Sequence, residues 1–109
     1  MDLPQIDVAT LADRLAGGGY LLDVRQPDEY RDDGHIAGAH LVPLGEVADR
    51  AAEVPTDRPV YVICRSGARS ARAVQFLRAQ GVDAVNVTGG MLAWADGGER
   101  PVRTGDQPG

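Results

Sequence analysis

The sequence predicts an α/β domain built on a mainly parallel sheet. Val60-Tyr61-Val62-Ile63 is a continuous apolar run rich in β-branched residues, the pattern of a strand covered on both faces. Strand-like runs alternate with stretches of helical character along the chain, which is how βαβ units read. Glycine or proline falls between successive elements, at Gly17-Gly18-Gly19, Pro55 to Pro59, Gly81 and Gly89-Gly90.

In order, Ile6–Val8 reads as a short first strand. Thr10, followed three residues later by Asp13, resembles a capping box and opens a helix to about Ala16, with Leu11 and Leu15 facing inward. The glycine triplet ends it, and Tyr20–Val24 forms the second strand, buried by Leu21-Leu22. Pro27 suits the first position of a helical turn running to Arg31. Residues 32–43 read as irregular, Leu44–Ala52 as a modest helix, and Pro55 to Pro59 as the turn into the Val60–Ile63 strand. A helix from about Ser70 to Gln80 follows, with Gly81 as its C-terminal stop, then a strand at Ala84–Val87. Gly89-Gly90 turns into a last helix whose Met91 and Trp94 read as core. Residues 99–109, rich in glycine, proline and charge, predict a mobile tail. The expectation is one domain over 1–109 with its core at about 5–98.

A length of 109 residues suits one domain with a real core, and 43% hydrophobic with 25% charged residues argues against disorder. The net charge of −5 disfavours nucleic acid or an anionic membrane as the general partner. Against that background Arg65, Arg69 and Arg72 gather around the only cysteine, which reads as a local anion site. One cysteine excludes an internal disulfide. The start of the sequence carries no basic and apolar leader, and no apolar run approaches the ~20 residues of a membrane span. A reducing, cytoplasmic setting is expected.

Cys64 falls where a buried strand ends, with a short glycine-containing loop and a helix N-terminus behind it. Open α/β sheets bind ligands at that edge. Loop amides, the helix end and two arginines favour the anion there, and such surroundings lower a thiol from about 8.5 into the ~3.5–7.5 range. At the exposed end of its strand, Cys64 is therefore the candidate nucleophile. Arg69 opens a helix, where the helix dipole disfavours a cation, so anion binding explains it better than structure does. Arg65 is either an anion contact or a solvated side chain. Ser66 and Ser70 read as caps of the loop and helix.

The motifs Leu22-Asp23-Val24-Arg25, Pro27-Asp28-Glu29-Tyr30, Gly34-His35-Ile36-Ala37-Gly38-Ala39, Cys64-Arg65-Ser66-Gly67-Ala68-Arg69-Ser70 and Gly89-Gly90-Met91-Leu92-Ala93-Trp94 stand in that order. Together they resemble a single-domain rhodanese, a thiosulfate sulfurtransferase-like protein. The resemblance covers residues 20–97, and the helix at 10–16 fits it. It implies a central, mainly parallel five-stranded sheet flanked by helices on both faces, with a loop closing around the cysteine. It also implies sulfur transfer without a cofactor. The Cys64 thiolate attacks the outer sulfur of thiosulfate or a related donor, sulfite leaves, and the persulfide passes its sulfur to cyanide or a thiol, including a protein thiol. Arg65, Ser66, Gly67, Ala68 and Arg69 would then bind the donor. Arg25, at the same sheet edge, either joins them, as its counterpart does in two-domain relatives, or pairs with Asp23 or Glu29. Asp23 itself reads as structural.

His35 and His40, with one cysteine and scattered carboxylates, make no zinc spacing, so no metal is assigned and packing or loop bonding is expected of both. Two rival functions carry their own marks. Cysteine phosphatases and arsenate reductases resemble this loop but place five residues between cysteine and arginine, where four stand here (Arg65 to Ala68). A binding or sulfur-relay module would keep the fold with little turnover on thiosulfate. Nothing in the sequence decides between monomer and homodimer.

Overall fold

A computed structural model describes residues 3–97 and 101–105. Five strands form one sheet in the order β1-β5-β4-β2-β3: β1 (Gln5–Ile6), β2 (Tyr20–Asp23), β3 (His40–Leu41), β4 (Val60–Ile63) and β5 (Ala84–Val87). Every pairing is parallel, so the expected sheet is present with no antiparallel member. The helices are α1 (Val8–Ala16), α2 (Pro27–Asp32), α3 (Val47–Arg50), α4 (Ala68–Ala79) and α5 (Gly90–Asp96). Short 3₁₀ turns at Leu44–Glu46 and Ala51–Glu53 flank α3, breaking the single helix expected over that stretch.

The strand alternation splits the core into two layers. Val60, Val62 and Leu22 pack with Val74 and Leu77 of α4 and Val47 of α3. Tyr61, Ile63 and Leu21 pack on the other face with Leu11 of α1, Tyr30 of α2, and Met91 and Trp94 of α5. Burial on both faces is why β4 reads as an unbroken apolar run. Fully burying one such aliphatic side chain stabilises by about 1.5–3 kcal/mol, so the two layers fix the strand that ends at Cys64.

Several local expectations are corrected. Helix α1 starts three residues earlier than the Thr10 cap predicts, because Asp7 is the N-cap and its Oδ1 accepts the Thr10 amide at 2.8 Å. Carboxylate outranks threonine at a cap, and Asp7 lay within reach. The stretch 32–43 holds the two-residue strand β3, too short to carry a periodic signal. Of the expected tail, Pro101 to Gly105 are described and are tied down. Arg103 exchanges both backbone hydrogen bonds with His35, Gly105 N–H donates to Arg31, and Trp94 Nε1 donates to the Pro101 carbonyl. The remainder of that tail lies outside the described residues. Among the described residues no helix is long and apolar enough to cross a membrane.

Candidate active site

Cys64 follows β4 directly, yet it is 1% exposed, not at an open strand end as expected. The loop doubles back over it at Gly67, whose φ of +110° is open only to glycine. This turn aims two amides at the sulfur: Gly67 N–H at 3.1 Å and Ser70 N–H at 3.3 Å. Helix α4 begins at Ala68, and its N-cap, Gly67, has no side chain to accept the free N–H groups. Sγ does so instead, which places it on the positive end of a 12-residue helix. Burial pushes the thiol up, but hydrogen bonds from Ser70, Gly67 and Ser66 outweigh it and hold Cys64 below its ordinary value.

Ser70 has one hydroxyl proton and three acceptors near it: Asn86 Oδ1 at 2.6 Å, the Gly67 carbonyl at 3.1 Å and Cys64 Sγ at 3.3 Å. The Asn86 amide is oriented by its own Nδ2, which donates to the Gly67 carbonyl at 3.3 Å. Oδ1 therefore faces Ser70 and takes the proton over the shortest contact. With the proton there, lowering the thiol falls to the backbone amides. Sequence reasoning missed Asn86, although a buried amide inside Ala84-Val85-Asn86-Val87 is the kind of residue that needs a partner.

The arginines separate. Arg25 is 2% exposed and closed on Asp23, with Nη2 donating to Oδ2 at 2.8 Å and to the Gly34 carbonyl at 2.9 Å. Of the two partners expected for Arg25, Asp23 is the one found; Glu29 offers it only a backbone carbonyl, at 3.5 Å. The Glu29 carboxylate instead grips Arg69 through both oxygens, at 2.6 and 2.8 Å. That fork holds Glu29 down at about 2, with a smaller pull from the Gln26 amide. Arg65 is exposed and makes no ion pair among the described residues. Arg72 does not join the group: it lines a surface hollow with Leu44, Val47 and Phe76, on the α3 side.

The floor of the site is set by α5. Met91 N–H donates to the Cys64 carbonyl at 2.9 Å and Leu92 N–H to the Arg65 carbonyl at 3.0 Å. A Cβ on Gly90 would meet the Arg65 carbonyl oxygen at 2.6 Å, so the approach of α5 to the loop requires glycine. Beside this floor lies a cavity of about 300 Å³ lined by Arg25, Asp33, Arg65, Met91, Leu92 and Val102. A larger one, about 620 Å³, sits between α1 and α5 and includes no residue of the cysteine loop. The histidines stay apart from the site. His35 is buried, stacked on Tyr30 at 3.6 Å with Nδ1 on the Tyr30 carbonyl, and His40 contacts Glu53. Among the described residues no group of three His, Cys, Asp or Glu side chains is placed to hold a metal ion.

The family model of the rhodanese-like domain matches residues 7–96. A sulfurtransferase of Allochromatium vinosum is 42% identical over 94 residues, covering 84% of this chain and 87% of its own. A rhodanese-like domain protein of Staphylococcus aureus superposes with a TM-score of 0.84 at 33% identity, over 94% of this chain and 98% of that one. A rhodanese-related protein of Thermoplasma volcanium gives 0.85 at 35%, over 92% and 97%. With motif order, sheet topology, cysteine loop and relatives in agreement, the chain belongs to the rhodanese-like domain family.

Proposed function

We propose that residues 1–109 act as one sulfurtransferase domain that carries a sulfane sulfur on Cys64. The observation that carries this reading is the pair of amides aimed at Sγ across the start of α4. They stabilise a thiolate before transfer. In the proposed cycle the Cys64 thiolate attacks the outer sulfur of the donor, an Sγ–S bond forms, and the donor S–S bond breaks. With thiosulfate the departing electron pair leaves on sulfite, and a Cys64 persulfide remains. Cyanide or a thiol then takes the outer sulfur and returns the thiolate.

In this reading the loop from Arg65 to Arg69 meets the donor. The amides of Gly67 and Ser70 face the sulfur, that of Ser66 adds a further donor beside it, Ala68 keeps the helix start clear of bulk, and Arg65 is the exposed cation. Arg25 serves the site by holding its edge, not by touching the donor. Four residues between Cys64 and Arg69 leave fewer amides than a phosphate oxyanion needs, which supports sulfur transfer over phosphate hydrolysis.

The test is intact-mass spectrometry after thiosulfate alone, followed by cyanide. A gain of one sulfur atom on Cys64, discharged as thiocyanate, supports the reading. A sulfur adduct that a thiol discharges while cyanide turnover stays at background would favour a relay module. No adduct, with hydrolysis of a phosphate ester, would reverse the assignment.

A further inference from the structure

Around the mouth of the Cys64 loop the charges cancel. The guanidiniums of Arg25, Arg65 and Arg69 are matched by the carboxylates of Asp23, Glu29 and Asp33. Arg25 is closed on Asp23, Arg69 is gripped by Glu29, and Asp33 lines the same cavity as Arg65. The groups share one field, since Arg69 feels the charges of Cys64 and Asp23 as well as that of Glu29. An incoming anion therefore finds only Arg65 without an ion pair among these three. To use Arg69 it must part a two-oxygen fork, one of the stronger side-chain contacts available. The displaced Glu29 would keep its charge, and it is only partly exposed, so water screens it incompletely.

We infer that Glu29 is a specificity-determining residue: by holding Arg69 it selects against dianionic sulfur donors and fits the Cys64 site to singly charged sulfane donors, the persulfides of small thiols. This rests on the sulfur-transfer reading above. The step balances for such a donor. The Cys64 thiolate attacks the outer sulfur of the persulfide anion, the donor S–S bond breaks, and its electron pair leaves on the small thiolate. Two negative charges stand on each side, and no oxidant is consumed. Thiosulfate brings one charge more into a field that has no spare cation for it.

The experiment measures single-turnover sulfur loading of Cys64 with two donors, thiosulfate and the persulfide of 2-mercaptoethanol, in the full chain. Glu29→Gln keeps an oxygen for the Gln26 amide, so the start of α2 retains its cap. It should raise the second-order constant for thiosulfate about tenfold while the persulfide constant moves less than about threefold, as expected when a charge-assisted contact becomes available. Asp33→Asn removes an equal charge from the cavity beside Arg65 without touching Arg69, and should shift the thiosulfate constant by less than about threefold. On the unaltered chain, sulfate should protect Cys64 from alkylation no better than chloride at equal ionic strength. A thiosulfate constant that is unchanged or lower in folded Glu29→Gln, an equal gain in Asp33→Asn, or protection by submillimolar sulfate would each overturn the inference. Loading from both donors with an unaltered ratio would sink this inference alone; no loading from either would sink the sulfur-transfer reading with it.

Discussion

Strands β2 and β4 lie side by side in the sheet, with Asp23 opposite Ile63, and both end at the edge that holds the site. Each is followed two residues later by an arginine. Arg25 comes after Asp23, and Arg65 after Ile63. Their fates are opposite. Arg25 is buried, with its guanidinium bound to Asp23 and Gly34, while Arg65 is exposed and makes no ion pair among the described residues. The difference lies in the last strand residue, a carboxylate in one case and an isoleucine in the other. A buried carboxylate fixes the following arginine and closes that strand end. Where it is missing, the following arginine stays exposed while the loop folds over the buried Cys64. The β2 end is locked by an ion pair, and the β4 end carries the proposed nucleophile.

The largest expected effect breaks the two roles apart. Cys64→Ser should reduce sulfur loading to background, while its melting temperature stays within a few degrees of the parent. Arg25→Ala should do the reverse, leaving a loadable thiol in a much weaker fold. Removing one partner of a buried ion pair costs about 3–5 kcal/mol, or roughly 10–40 °C in melting temperature for a domain of this size. Thermal melts followed by mass spectrometry of the surviving fold test both. A stable Arg25→Ala protein with lost loading would place Arg25 on the donor instead.

Arg65→Ala sharpens the same contrast at its exposed arginine. The side chain holds nothing together, so stability should not move, but a charge-assisted contact of ~1.5–3 kcal/mol is worth roughly tenfold to a hundredfold in kcat/KM. Because the site also serves through its amides, the lower end, about tenfold, is expected. Unchanged kinetics would leave Arg65 as a solvated surface residue.

How much of this was legible in the sequence follows from how local each cause is. The apolar run at 60–63, the glycines at 67, 89 and 90, and the ordered motifs gave the sheet, the loop and the cysteine, because each is written in adjacent residues. The pairing of Arg69 with Glu29 spans 40 positions and the bond from Ser70 to Asn86 spans 16. No spacing rule reaches that far. Arg72 looked like part of the cluster because proximity along the chain was all that could be read. In the structure it lines the hollow with Leu44 and Val47 on the α3 side instead. Burial of Cys64 was missed for a related reason: a turn at one glycine decides whether a loop lies open or folds over.

Ser70→Ala tests which groups at the β4 end hold the thiolate. With the hydroxyl proton on Asn86, its removal should leave the midpoint of Cys64 alkylation with pH unmoved, since the amides do the lowering. Alkylation should rise with pH through a midpoint below that of a free thiol, in parent and variant alike. A clear rise of that midpoint in the variant would mean the hydroxyl donates to sulfur.

The smallest effect concerns Glu29, which links the two strand ends through its side chain on Arg69 and its carbonyl near Arg25. Its folded value is held at about 2, below the ordinary 4.5. The unfolded chain therefore binds this proton first as pH falls, so the contribution is complete above 4.5 and is lost between there and about 2. Above that window, Glu29→Gln should melt lower than the parent; the two should converge as pH approaches the lower limit. Partial exposure of both partners keeps the gap small, and added salt should narrow it further. Because Gln keeps the cap on α2, a gap that persists unchanged at the acid end would show that the substitution acts through something other than the charge of Glu29 on Arg69. The two strand ends would then be independent of each other.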